Sequence, residues 1–183
     1  MAATETKAKK KWFPVLARGA AIELGKIPAF ESNALMGRTI QTNLSFLTKD
    51  PKKQSVNVKF RITEVSQNDA TADIYSYELI PSFIRRIIRK GKEKLDVSFT
   101  SATKDAIKVR VKLLLVTKIA AKGSVNKELR KKVQELITDI IINGTYEDFI
   151  KKIISNKIHR DVKATLSKIY PLSLFEVKAL KRL

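Results

Sequence analysis

Lys108, Arg110 and Lys112 occupy every second position of a stretch whose intervening residues are Val109 and Val111, with Ile107 and Leu113 at its ends. Same-face side chains of an extended strand stand about 6.6 Å apart, twice the rise per residue, so the three cations form a straight, evenly spaced row. Such a row suits electrostatic binding of a polyanion, which needs fixed positive charge and no reacting group. The arrangement recurs elsewhere. Lys59 and Arg61 alternate with Val58, Phe60 and Ile62, while Arg85, Arg86, Arg89 and Lys90 fall opposite Phe83, Ile84, Ile87 and Ile88 at helical spacing.

One basic row is no more than the solvated side of an amphipathic element. Repetition without compensation asks for a partner. Between Arg85 and Lys94 six cations meet a single acid, Glu93, whereas an ordinary solvated face mixes both signs.

Bond-making chemistry finds little here. His159 is the only histidine and cysteine is absent, so neither a catalytic triad nor a histidine- or thiolate-based metal site can be built within one chain. His159 is expected on a helix surface. Glu147 and Asp148 stand where a helix start favours negative charge, which accounts for them without acid–base work. Arg89-Lys90-Gly91-Lys92 lacks the spacing of a phosphate loop and precedes no suitable helix. The acids are scattered rather than clustered for a divalent cation. We therefore expect no catalysis, no cofactor and no metal.

Composition agrees. The 183 residues are 44% hydrophobic and 30% charged, the profile of a folded chain with a true core. The 37 Lys and Arg against 18 Asp and Glu give a net charge of +19 and a pI of about 10.1. So large an excess is self-repelling until a polyanion neutralises it, and nucleic acid is the leading candidate. No apolar run is long enough to span a bilayer, and the Lys-rich start is followed by no signal-like apolar segment, so neither membrane insertion nor secretion is expected.

The elements that must hold these charges follow from periodicity. Residues 1–11 read as a basic tail, and residues 12–183 as one domain. Trp12 and Phe13 either anchor the tail or stack on a base. From Pro14 to Gly37 a short strand near Ala21 to Leu24 is expected, otherwise loop. A strand follows from Arg38 to Phe46, then a turn at Asp50-Pro51-Lys52-Lys53. Val56 to Thr63 and Ala72 to Leu79 form a hairpin turning at Gln67-Asn68-Asp69. Pro81 to Gly91 is a helix, and Lys94 to Phe99 and Ile107 to Leu115 are strands.

Beyond Lys118 the period becomes helical. Ser124 is expected to cap a helix with its stripe on Val125, Leu129, Val133, Leu136, Ile137, Ile140 and Ile141, ended by Asn143-Gly144. A short helix capped by Thr145 and another along Ile158, Val162, Leu166 and Ile169 follow. Leu174 to Leu183 is a final strand with Phe175, Val177 and Ala179 on one side. The class is α+β: a mostly antiparallel sheet, with barrel-like closure left open, a helix inserted between strands, a C-terminal helical segment and a basic N-terminal tail.

In order along the chain stand Lys10-Lys11-Trp12, Gly37-Arg38 leading to Leu44-Ser45-Phe46-Leu47, Leu129-Arg130-Lys131-Lys132, Lys168-Ile169-Tyr170-Pro171-Leu172 and Val177-Lys178-Ala179-Leu180-Lys181. Together they resemble the small-subunit ribosomal protein family of archaea and eukaryotes called S-three-a-e, or e-S-one. The likeness runs over nearly the whole chain. It implies a structural, cytoplasmic protein of the small ribosomal subunit, bound to rRNA on the platform near the mRNA exit. It also implies neighbouring platform proteins and mRNA near the exit as further candidate partners. The short C-terminus resembles archaeal members. A non-ribosomal RNA- or DNA-binding module is the alternative.

Since the family offers no fixed contact motif, the expected rRNA-binding residues are taken from the basic faces. They are Lys9, Lys10, Lys11, Trp12, Arg38, Lys59, Arg61, Arg85, Arg86, Arg89, Lys90, Lys92, Lys94, Lys108, Arg110, Lys112, Lys118 and Lys122.

Overall fold

The structure, a computed structural model, describes residues 10–18, 22–66 and 69–183. Two compact units divide the chain, Met1–Ser76 and Tyr77–Leu183.

The first unit opens with an antiparallel hairpin of β1 (Lys11–Ala17) and β2 (Glu23–Ala29), with Lys11 opposite Ala29 and Val15 opposite Gly25. This corrects the expectation of loop with one short strand near Ala21 to Leu24, of which Ala21 lies outside the described residues. Pro14 and Gly25 interrupt the propensity pattern yet are tolerated. Pro14 lies outside the three residues Val15–Ala17 that pair in parallel with β5 (Ala70–Leu79). Gly25 adopts φ 140, open only to glycine, beside a register irregularity between Val15 and Leu16. Lys11 is thus a strand residue rather than tail, and residues 1–9 lie outside the described residues.

β3 (Thr39–Asn43) pairs antiparallel with β4 (Val56–Val65). The expected strand from Arg38 to Phe46 stops halfway because the Asn43 side chain accepts a hydrogen bond from Ser45 N at 3.0 Å and starts helix α1 (Leu44–Thr48). A local side-chain bond overrides the alternation, and Phe46 ends exposed. β4 behaves as its pattern demands: Val56, Val58, Phe60 and Ile62 are buried. It pairs with β5 on its other side. Of the expected turn between them, Gln67 and Asn68 lie outside the described residues.

The second unit takes over within β5. Helix α2 (Pro81–Ile87) ends four residues short of the expected Gly91, with Ile88 already extended. None of its residues is fully buried, so its apolar side is not the core face that its spacing suggested. Strands β6 (Lys94–Ala102), β7 (Lys108–Thr117) and β8 (Leu172–Arg182) are antiparallel, with β7 in the middle. Leu113 to Thr117 are all buried, as a central strand covered on both faces requires. Each such Leu or Val contributes roughly 1.5–3 kcal/mol of burial. Lys112 stands opposite Ala179 but Leu113 opposite Val177, so Lys178 is extra. That bulge turns Leu180 inward where alternation had placed Ala179.

Helix α3 (Gly123–Ile142) packs on β6, and α5 (Lys157–Leu166) packs on β8, with α4 (Tyr146–Ile154) beside both helices. Leu129, Val133, Ile137 and Ile141 form the buried stripe of α3, while Asn126 rather than Val125 is buried in its first turns. Lys122 holds the N-cap position without a side-chain bond, and Ser124 falls inside the helix rather than capping it. Thr145 Oγ1 caps α4 as expected, accepting from Asp148 N at 3.3 Å. The class is α+β and mostly antiparallel, but the strands do not close into a barrel.

Candidate nucleic-acid interface

On β7 the side chains of Lys108, Arg110 and Lys112 are exposed, while Val109, Val111 and Leu113 between them are buried. The strong apolar alternation buries one side of the strand and leaves the cations no choice of face. None of the three makes an ion pair among the described residues. Register extends the row sideways. Arg110 stands opposite Lys181 on β8 and opposite Thr100 on β6, and Lys112 stands opposite Ser98. Lys181 was not among the expected contacts: strict alternation placed it on the side of Phe175, Val177 and Ala179, and the bulge at Lys178 turned it outward. The result is a polar patch of cations and hydroxyls, the groups that hold phosphates.

The neighbouring charges are less free than the sequence suggested. Lys94 pairs with Asp96, which also lies 3.6 Å from Lys178 Nζ. Lys92 is half-buried, and its Nζ donates to Ser173 Oγ at 2.9 Å. Glu93, the lone acid of that run, accepts from Ala121 N at 3.0 Å and Asn126 Nδ2 at 2.6 Å, tying the approach of α3 to the start of β6. Arg85 and Arg86 are exposed on α2, with Arg86 5.5 Å from the Phe83 ring centroid. Arg89 and Lys90 are exposed just past its end, and Lys118 and Lys122 are exposed in the segment leading from β7 into α3.

The first unit carries a separate set. Lys59 and Arg61 share a face of β4 with Thr39 and Gln41, which stand opposite Arg61 and Lys59 on β3. Lys59 is half-buried, and the Arg61 guanidinium lies 5.7 Å from the Tyr75 ring centroid. Arg38 Nη1 donates to Pro28 O at 3.2 Å. Arg18 is engaged by Glu64 and Asp73. Trp12 is 66% exposed while Phe13 is 6% exposed, so Phe13 is the anchor and the indole is presented to the surface. Lys10 lies 5.4 Å from the Phe30 ring centroid, and Lys11 is exposed. Lys9 lies outside the described residues.

His159 is not a surface residue: it is 6% exposed, and burial pushes its pKa down to about 4. Its Nε2 accepts from Val177 N at 3.2 Å and lies 3.1 Å from Glu176 Oε2. Burial pushes Glu176 up to about 7, against the opposing pull of Lys163. The pair is part of the packing between α5 and β8, and nothing in the spacing of a single histidine announced it. Among the described residues no three His, Asp or Glu side chains stand together as metal ligands, and no helix is long and apolar enough to cross a membrane.

Comparison with known proteins points the same way as the charge. The family model of the Ribosomal S3Ae family matches residues 2–183. The chain is 29% identical over 175 residues to small ribosomal subunit protein eS1 of Methanothermobacter thermautotrophicus, covering 94% of this chain and 90% of that one. With the protein of the same name from Sulfurisphaera tokodaii it is 31% identical over 176 residues, covering 95% and 91%. With that from Desulfurococcus amylolyticus it is 30% identical over 176 residues, covering 95% and 83%.

Proposed function

The chain belongs to the Ribosomal S3Ae family, a structural and non-enzymatic component of the ribosome, and from that membership we propose that it is a protein of the small subunit that binds rRNA through its basic faces. The observation that carries this reading is the unpaired row of Lys108, Arg110 and Lys112, flanked in register by Lys181, Ser98 and Thr100. Cations anchored at every second position of a strand repel one another, and a bound polyanion of comparable repeat relieves that repulsion while releasing its own counterions. A phosphate backbone supplies one. Lys59 and Arg61 on β4 and Arg85, Arg86, Arg89 and Lys90 at α2 make further contacts to phosphate, as do Lys118 and Lys122. The basic start of the chain ahead of β1, Lys7 to Lys10, threads between rRNA helices.

Its place is the platform near the mRNA exit, beside other platform proteins and within reach of mRNA, in the cytoplasmic ribosome. Sucrose-gradient sedimentation of a lysate tests this directly. The protein should travel with the small subunit at low and moderate salt. Sedimentation with free RNA or with DNA alone would favour a non-ribosomal binding module instead.

A further inference from the structure

Trp12 and Phe30 are two of the largest exposed apolar side chains in the first unit, 66% and 54% exposed, and they line one surface hollow. Register explains why they share it. Trp12 stands opposite Pro28 and Lys11 opposite Ala29, so Phe30, one residue past the last pair, falls diagonally across from Trp12. Diagonal cross-strand neighbours stand roughly 7–8 Å apart, a spacing that admits one flat ring between two others. Lys10 sits over the Phe30 ring at 5.4 Å, and Lys11 lines the hollow. Its remaining wall includes Glu31, Asn33 and Asp69.

We propose that this hollow captures a single unpaired nucleobase between Trp12 and Phe30, with Lys10 and Lys11 holding its flanking phosphates. The proposal rests on the reading of the chain as an RNA-binding protein and adds a second mode to it. The β7 row recognises a charged backbone; the hollow recognises a base. Stacking is open to any base, since each has a π-face. The wall discriminates. Glu31 starts a 3-10 turn without capping it, and its carboxylate has no partner among the described residues. Ionised carboxylates only accept hydrogen bonds, so they favour bases with an exocyclic amino group, namely adenine, cytosine and guanine. Uracil, which has none, is the poorest fit. A basic hollow built only for phosphate would have no use for two carboxylates or two exposed rings.

Trp12 is the only tryptophan, so the indole fluorescence of the full chain reads this site alone. The probes are six-nucleotide oligoadenylate, oligocytidylate and oligouridylate, and a short RNA duplex with as many phosphates. Oligoadenylate and oligocytidylate should quench strongly and oligouridylate weakly, while the duplex binds, by anisotropy of a label, without quenching. Phe30→Ala should weaken oligoadenylate binding on the order of ten- to hundred-fold with an unchanged salt slope, because no charge is lost. Phe30→Leu, which keeps an apolar side chain, should weaken it similarly, and Glu31→Gln should narrow the preference over uridine. Equal quenching by the duplex, or undiminished affinity in both Phe30 variants, overturns the proposal. Normal salt-dependent RNA binding without quenching overturns it while leaving the basic-face reading intact; loss of binding to every RNA sinks that reading instead. A Trp12 that ignores all RNA but responds to a protein of the small subunit assigns the hollow to a protein partner and overturns it as well.

Discussion

His159 Nε2 and a Glu176 carboxylate oxygen stand 3.1 Å apart where α5 packs on β8. Because Nε2 also accepts from Val177 N, the ring proton belongs on Nδ1, which has no hydrogen-bond partner. An ionised Glu176 would then face a lone pair, so the stable arrangement is a protonated carboxyl donating to a neutral imidazole. Burial of both groups favours the same state. Lys163 on α5 pulls the other way, and the Tyr77 hydroxyl, itself buried, has its pKa pushed up in part by Glu176.

The sign of the pH dependence follows from the two shifts. Between pH 6.5 and 4 the unfolded chain takes up a proton that buried His159 refuses, so stability from this residue falls as pH falls through that window. Between pH 4.5 and 7 folded Glu176 keeps a proton that the unfolded chain loses, so its contribution, complete at low pH, disappears as pH rises through 7. The slopes oppose and the wild type is nearly flat from pH 4.5 to 6.5. Glu176→Gln keeps a donor to Nε2 and removes one slope. Its stability should rise by up to about 3 kcal/mol from pH 4 to 6.5 and exceed that of the wild type above pH 7, measured by urea unfolding. Parallel curves would show that Glu176 holds no raised pKa in the folded chain.

Replacing both Arg110 and Lys112 with Glu should leave the far-ultraviolet circular dichroism unchanged, since both side chains are exposed. The log–log salt slope of rRNA binding should flatten by roughly 1.5–2, the loss of two phosphate contacts. Incorporation into the small subunit should fall with it. An unaltered slope places the contact on another face.

Glu93→Ala removes the acceptor for Ala121 N and Asn126 Nδ2. We expect a loss of roughly 2–3 kcal/mol in unfolding free energy, and less for Glu93→Gln, which retains one acceptor. Neither change should lower the RNA salt slope. A wild-type denaturation midpoint in both variants would show that these bonds do not secure α3.

Gly37 adopts φ 77 at the entry to β3, and an added Cβ would meet only the Arg61 guanidinium at 3.7–4.0 Å, ordinary contact. Gly37→Ala should therefore cost about 1 kcal/mol from backbone strain alone. A much larger loss would mean that Arg61 cannot yield.

The basic faces were legible because burial on a strand has a period of two: once Val109, Val111 and Leu113 must be covered, Lys108, Arg110 and Lys112 must be outside. The same reasoning found β4 and the stripe of α3. It failed where one local bond or one special backbone angle decides. Asn43 capping its own helix ended β3 early, and Gly25 with Pro14 concealed a hairpin that their neighbours complete.

Charge sign, strand faces and the polyanion-binding character are thus carried by the order of residues itself, since they depend on near neighbours and on simple periods. Tertiary structure alone decided which cations stay free, that a lone histidine would be buried against Glu176, and that Trp12 and Phe30 would line one hollow across a hairpin. Those outcomes depend on residues far apart in the chain, whose pairing is set by the registers of β1 with β2 and β7 with β8 and by the seating of α5, and no local period encodes them.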